Sequence, residues 1–246
     1  MYKRLIYGGS SLILIIVIWK ILAMKLASPV LLPTPEYTLS KLVDIVRQKE
    51  FINIVMATLK RVLISFSISL VLGAVLAYLS HIFEIIKYMI WPLVSFMKAT
   101  PVMAFILLLM IWTRAYAPVI VGTMMAFPII YGNILTGLGE VDEQLLEMAK
   151  SFEVDRGQIV KNIYIPSITP YAVAGMTSAF SISFKALIAA EVLVQPKLGI
   201  GTVLQNGSMY FETETVFAWV GIILAIAMGF DILLKRINLK FRKWSL

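Results

Sequence analysis

Cysteine is absent from the 246-residue chain, and His81 is its single histidine. The first absence excludes disulfides, thiolate metal sites and cysteine nucleophiles. The second leaves little scope for a histidine-based metal site or a catalytic triad. A G-x-x-x-x-G-K-[ST] phosphate loop is also missing: the pairs Gly137/Gly139 and Gly199/Gly201 lack its remaining elements. Charged residues are only 15% of the chain, and no internal repeat or low-complexity tract is found. What is abundant is apolar. Sixty per cent of residues are hydrophobic and the mean hydropathy is +0.89, against about 45–50% apolar in soluble domains. One soluble core could not hide that surface, so lipid must solvate much of it. The net charge of +8 sits mainly at the ends of apolar runs. Anionic headgroups and the positive-inside bias account for it better than nucleic acid does.

Crossing about 30 Å of hydrocarbon takes about 20 helical residues. Six segments meet or approach this: 5–24, 57–79, 101–115, 117–138, 168–194 and 216–234. The first follows Met-Tyr-Lys-Arg, as a signal peptide would, but five apolar segments follow it and no clear small-x-small cleavage site does. An uncleaved first span is therefore expected. The third is short and bracketed by Pro101 and Pro118; Pro92 and Pro101 are expected to break the region before it into an interfacial piece and a span. Between the first two spans, Leu32-Pro33-Thr34-Pro35 leads into a segment with Leu39, Leu42, Val43, Ile45, Val46 and Phe51 set among charges. This reads as an amphipathic helix lying on the membrane or against other spans. With the N-terminus inside, twelve Lys and Arg fall inside and eight outside, and the strongest orientation signal is the basic tail 235–246. The expectation is an all-α membrane protein, a single domain over 1–246 with both termini cytoplasmic.

The longest polar interruption, about 140–166, carries charges of both signs and an apolar stripe of Leu145, Leu146, Ala149 and Phe152 at helical spacing. It predicts a short helical hairpin across the ends of the spans. Its apolar face meets either a protein partner or only lipid headgroups; the residues alone leave both open. Ionisable residues inside spans cost at least a few kcal/mol and are functional candidates by default. Lys185, flanked by Ser181 and Ser183, either faces a translocation path and attracts an anion, or pairs within the protein. Glu191, six residues on, projects about 120° away from it around the helix. Asp231 is expected to pair with Lys235 at i+4, and Lys20 to snorkel outward.

The polar loop resembles the coupling motif of ABC importer permeases: Glu-Ala-Ala, three residues, Gly, nine residues, then Ile-x-Leu-Pro. This chain has Glu147-Met148-Ala149, three residues, Glu153, nine residues, then Ile163-Tyr164-Ile165-Pro166. Within those importers it is similar to the nitrate, sulfonate and taurine branch. The similarity extends through Leu32-Pro33-Thr34-Pro35, Leu59-x-Arg61-Val62, Thr100-Pro101, Ile111-Trp112, Phe127-Pro128, Pro170-Tyr171, Gly175, Ala190-Glu191 and Leu198-Gly199-Ile200-Gly201. Two departures stand out. Glu153 replaces the motif's glycine, at a cost on the order of 1 kcal/mol if the left-handed turn is kept, unless Gly157 takes part of the bend. Thr113-Arg114-Ala115 stands where the branch carries a glycine after Ile-Trp, which puts any gate built there in doubt.

The resemblance implies a type I ABC importer permease fold with about six transmembrane helices, in a bacterial cytoplasmic (inner) membrane. It implies a transport subunit, not an enzyme. Two permease copies would meet a cytoplasmic ABC ATPase dimer, which holds the ATP and Mg. An extracytoplasmic binding protein would deliver a small anionic solute of the nitrate, sulfonate or taurine kind. The ATPase contact would involve Leu145, Leu146, Glu147, Met148, Ala149, Lys150, Ser151, Phe152, Glu153, Gly157 and Pro166. The substrate path would involve Lys185, Ser181, Ser183 and Glu191, with a structural or gating role for Glu191. A vitamin precursor (a thiamine pyrimidine or riboflavin) is the alternative cargo, and a stand-alone carrier or channel the more remote alternative. A membrane enzyme would need an acid pair, a Ser-Lys or Asp dyad, or metal ligands, and no such constellation is present.

Overall fold

The computed structural model describes the backbone of residues 2–242, with side chains described except those at 2–6, 8, 9, 12, 234, 235 and 237–242. All regular elements among the described residues are helices: α1 Tyr2–Leu26, α2 Pro35–Arg47, α3 Phe51–Ile82, α4 Glu84–Ala99, α5 Val102–Thr113, α6 Ala117–Gly139, α7 Glu143–Ser151, α8 Arg156–Ile159, α9 Ile165–Val194, α10 Ile200–Met209 and α11 Thr213–Arg242. A π-helical turn, Val160–Tyr164, joins α8 to α9, so that 156–194 is one continuous 39-residue helix.

Among the described residues, four helices are long and apolar enough to cross a membrane: α3, α6, the α8–α9 rod and α11 over Thr213–Leu233. The 25-residue α1 exposes Ile13 to Ile18, Ile21 and Leu22, as a lipid-facing span does. The expected third span is different. Twelve residues of α5 rise only about 18 Å, and α5 meets α4 at 102°. Thr100 and Pro101 are extended and make that break, whereas Pro92 lies inside α4 without ending it.

The core forms where α6 lies between α3 and α9. Half of the apolar window of α6 is buried, against 17% of that of α11, so α6 is central and α11 peripheral. The packing depends on small side chains. On α3, Thr58, Val62, Ser65, Ser69, Gly73, Ala77 and Ser80 recur three or four apart and are all buried. Ser69 Oγ lies 2.8 Å from the Ser65 carbonyl and 3.1 Å from that of Thr123 on α6, and Tyr131 OH donates to Ser80 Oγ at 3.1 Å. A Cβ on Gly122 would meet Ser65 Oγ at 2.7 Å and Ser183 Oγ at 3.0 Å. Three helices therefore converge where only hydrogen fits.

Helix α2 starts at Pro35, with Thr34 Oγ1 accepting from the Tyr37 amide at 3.3 Å. It lies against α11: Ile45 is buried with Ala218, Trp219 and Ile222, while Leu39, Val43 and Val46 stay exposed. Helix α1 is tied to this corner. Trp19 Nε1 donates to the Pro33 carbonyl at 3.0 Å, its ring stacks on Phe217 at 5.6 Å, and Lys20 pairs with Glu36.

Candidate functional site

At one end of the bundle the chain leaves α6 and forms the expected elbow. Asp142 caps α7, its carboxylate accepting from the Gln144 amide at 2.8 Å, and Asp155 caps α8 through the Gly157 amide at 2.8 Å. Between them the chain reverses in a Schellman turn. The Glu153 amide donates to the Lys150 carbonyl and the Val154 amide to the Ala149 carbonyl, both at 3.0 Å. Glu153 sits at φ 51, so it occupies the left-handed backbone itself. Gly157 does not take the bend; no described glycine occupies the left-handed region.

The face of α7 differs from the expected stripe. Ala149 is 5% exposed and Leu146 half-buried, whereas Leu145, Met148 and Phe152 stand out, Phe152 at 77%. The outward apolar row is thus 145, 148, 152, and Ala149 is part of the packing that holds it. Glu147, Lys150 and Ser151 are exposed, with Ser151 Oγ donating to the Glu147 carbonyl at 2.9 Å. Pro166 follows the π-helical turn at the start of α9, inside the continuous rod, where it offers no backbone amide to the preceding turn.

The residues expected to line a path do not share one face. Lys185 is exposed on α9, and no carboxylate lies within salt-bridge distance of it among the described residues. Ser181, one turn earlier, is half-buried and 3.5 Å from Asp231 Oδ1 on α11. The expected Asp231 pairing with Lys235 lies outside the described side chains. Ser183 is 0% exposed, 3.4 Å from Ser65 Oγ. Glu191 is also 0% exposed. Both lie off the Lys185 face.

Glu191 is the centre of a second cluster at the opposite end of α9. Arg61 Nη1 donates to its Oε1 at 2.6 Å, and Thr58 Oγ1 to its Oε2 at 2.8 Å. The Gly201 amide, in the first turn of α10, donates to Oε2 at 3.1 Å. The same Arg61 nitrogen reaches the Leu198 carbonyl at 2.8 Å, and Thr58 Oγ1 accepts from the Ile200 amide at 2.9 Å. A buried carboxylate is thereby matched by a cation, a hydroxyl and the positive end of a helix. A Cβ on Gly201 would lie 2.6 Å from both the Ile188 carbonyl and the Val192 amide, so this close approach requires glycine. Nearby, Arg114 Nε and Nη2 both donate to the Val194 carbonyl at 3.2 Å, satisfying the end of α9. Sequence reasoning did not single out Thr58, and Arg61 stood out only within a family resemblance. A polar pair at i and i+3 opening an apolar helix was the available signal.

A family model described as "Binding-protein-dependent transport system inner membrane component" matches residues 69–243. The chain is 21% identical to the taurine transport system permease protein of Escherichia coli (strain K12), covering 96% of this chain and 88% of that one. It is 25% identical to the formylaminopyrimidine transport permease protein of Halalkalibacterium halodurans, covering 94% of each. The fold is similar to that of a chain of the MetNI methionine ABC transporter in its inward-facing conformations. The TM-score is 0.67 at 15% identity, covering 77% of this chain and 95% of that one.

Proposed function

Since the chain belongs to the family of binding-protein-dependent transport system inner membrane components, we propose that its α7 elbow docks on a cytoplasmic ABC ATPase. In this reading ATP and Mg are held by that ATPase, and two permease copies enclose the path. The N- and C-termini are cytoplasmic, and a binding protein approaches the opposite face. The observation that carries the docking is the row Leu145, Met148 and Phe152. It is solvent-exposed, set on a rigidly capped helix, and joined by one tight turn to the 39-residue rod. Apolar side chains of this size, held on a preorganised helix, are what a groove on a second protein binds. A push on α7 is delivered to α9 without a flexible linker.

The proposed cargo is a small solute with an anionic group, such as the sulfonate of taurine, another sulfonate or nitrate. It is supported by Lys185, exposed within a span and without a carboxylate in salt-bridge distance among the described residues, and by the similarity to a taurine transport permease. The similarity to a formylaminopyrimidine permease supports a second reading, a neutral pyrimidine. Two variants in the reconstituted importer test these assignments. Phe152→Asp is expected to abolish co-purification of the ATPase while the chain still inserts; retained ATPase would refute the docking face. Lys185→Ala is expected to lower taurine or nitrate uptake at least about tenfold, one lost charge contact in low dielectric. Unchanged anion uptake, or import of the pyrimidine instead, would remove the anion assignment.

A further inference from the structure

We propose that Arg61 and Glu191 are positioning residues forming the outer anchor of the transport stroke, the joint through which α9 carries α3 and α10 with it. The inference rests on the coupling reading above and extends it to the opposite end of the molecule. The α8–α9 rod begins beside the elbow at Arg156 and ends at Val194, so whatever displacement enters at α7 arrives at Glu191. There the rod meets its neighbours through directional contacts. Two come from α3, Arg61 and Thr58, and one from the Gly201 amide of α10. Arg61 adds the Leu198 carbonyl, so a single guanidinium nitrogen spans α3, the carboxylate of α9 and the connection into α10.

Elsewhere the contacts of α9 with α3 and α6 are mainly apolar, through side chains such as Ala179, Phe180, Phe184 and Leu187, with one long, uncharged hydroxyl contact between Ser183 and Ser65 at 3.4 Å. Such surfaces hold helices together while allowing small sliding and rotation. An ion pair buried at 0% exposure on the carboxylate side does not slide, since separation leaves an uncompensated charge. Apolar residues of similar volume would serve stability as well or better. What the pair supplies that they cannot is registry. It fixes the end of α9 to α3 and α10 at one rotation and one height. The glycines at 199 and 201 fit the same purpose: a Cβ on either would strike Glu191 within 3.0 Å.

The test uses the assembled complex with its ATPase, and the cysteine-free chain accepts spin labels without background. Labels are placed at two exposed positions, Ile182→Cys on α9 and Met209→Cys on α10. Labelled chain is diluted with unlabelled chain and measured by pulsed electron resonance, nucleotide-free and trapped with ATP and vanadate. In the native background the 182–209 distance is expected to be the same sharp value in both states. In Arg61→Met/Glu191→Gln, which leaves no unpaired buried charge and keeps acceptors for Thr58 and Gly201, the distribution is expected to broaden by roughly twofold as the joint samples several arrangements. ATPase co-purification should be unchanged. A native distance that differs between the states, or a double variant as sharp as the native chain, overturns the anchor. If the double variant does not assemble, Arg61→Lys is read by the same criterion, since lysine keeps the charge but cannot reproduce the guanidinium's span. Failure of the coupling reading is recognised separately, by ATPase retained in Phe152→Asp.

Discussion

The Glu153 amide donates to the carbonyl of Lys150 at 3.0 Å while Glu153 itself holds a left-handed backbone at φ 51. A side chain with a Cβ therefore occupies the one position of the elbow best suited to glycine. Glu153→Gly is expected to relieve about 1 kcal/mol of backbone strain and to raise the thermal midpoint of the purified chain. A lowered midpoint would show that the carboxylate does more for the elbow than its backbone costs.

Gly122 faces Ser65 and Ser183 across the junction of α3, α6 and α9, whereas a Cβ on Gly229 meets nothing within 4 Å. Gly122→Ala is expected to destabilise by about 1–3 kcal/mol, the usual cost of overpacking. Gly229→Ala is expected to be neutral or to gain up to about 1 kcal/mol from helix propensity. Thermal unfolding of the two variants in the same detergent compares them directly; equal effects would contradict the tight packing at Gly122.

Arg114 closes the end of α9, its Nε and Nη2 both donating to the Val194 carbonyl. Cations are favoured at helix C-termini. Arg114→Met is expected to cost about 1 kcal/mol locally and to speed hydrogen exchange at the Gln195 amide, which donates to the Glu191 carbonyl at 2.9 Å. Unchanged exchange there would remove the capping role.

The hydrogen bond from Lys20 first, and that of the Glu36 backbone amide second, hold the Glu36 carboxyl below its ordinary range, with the Lys20 charge adding a smaller effect. A carboxylate lowered on folding contributes above its unfolded pKa, near 4.3, and the contribution is lost as pH falls through the lower folded value. The α1–α2 tether should therefore be constant from neutral pH down to about that value and loosen only below it. Lys20→Met should show the loosened state at every pH. Proteolysis between α1 and α2 across a pH series distinguishes the two.

Apolar runs long enough to cross lipid were legible because a membrane demands about twenty uninterrupted residues. That rule failed at 101–115, where extended Thr100 and Pro101 turn the chain by 102° and leave α5 too short to cross alone. The elbow was legible as amphipathic, but its stripe was assigned to one surface. Periodicity finds the apolar arc of a helix without saying which half of it a neighbour covers, so Ala149 was grouped with Phe152 although the fold buries one and exposes the other. The Arg61–Glu191 pair was legible only as two unrelated fragments. The two residues are 130 positions apart, and no local pattern encodes a contact at that separation.

At the π-helical turn the Ile165 amide donates to the Val160 carbonyl, five residues back instead of four. One residue more than an α-helix needs is thereby absorbed into the rod, and every side chain beyond it is turned by about 100° relative to the elbow. The angular phase between the exposed apolar row of α7 and the Lys185 face is thus set by a single surplus residue in 160–164. Shortening that stretch by one would leave composition and hydropathy almost unchanged while pointing the two faces in different relative directions.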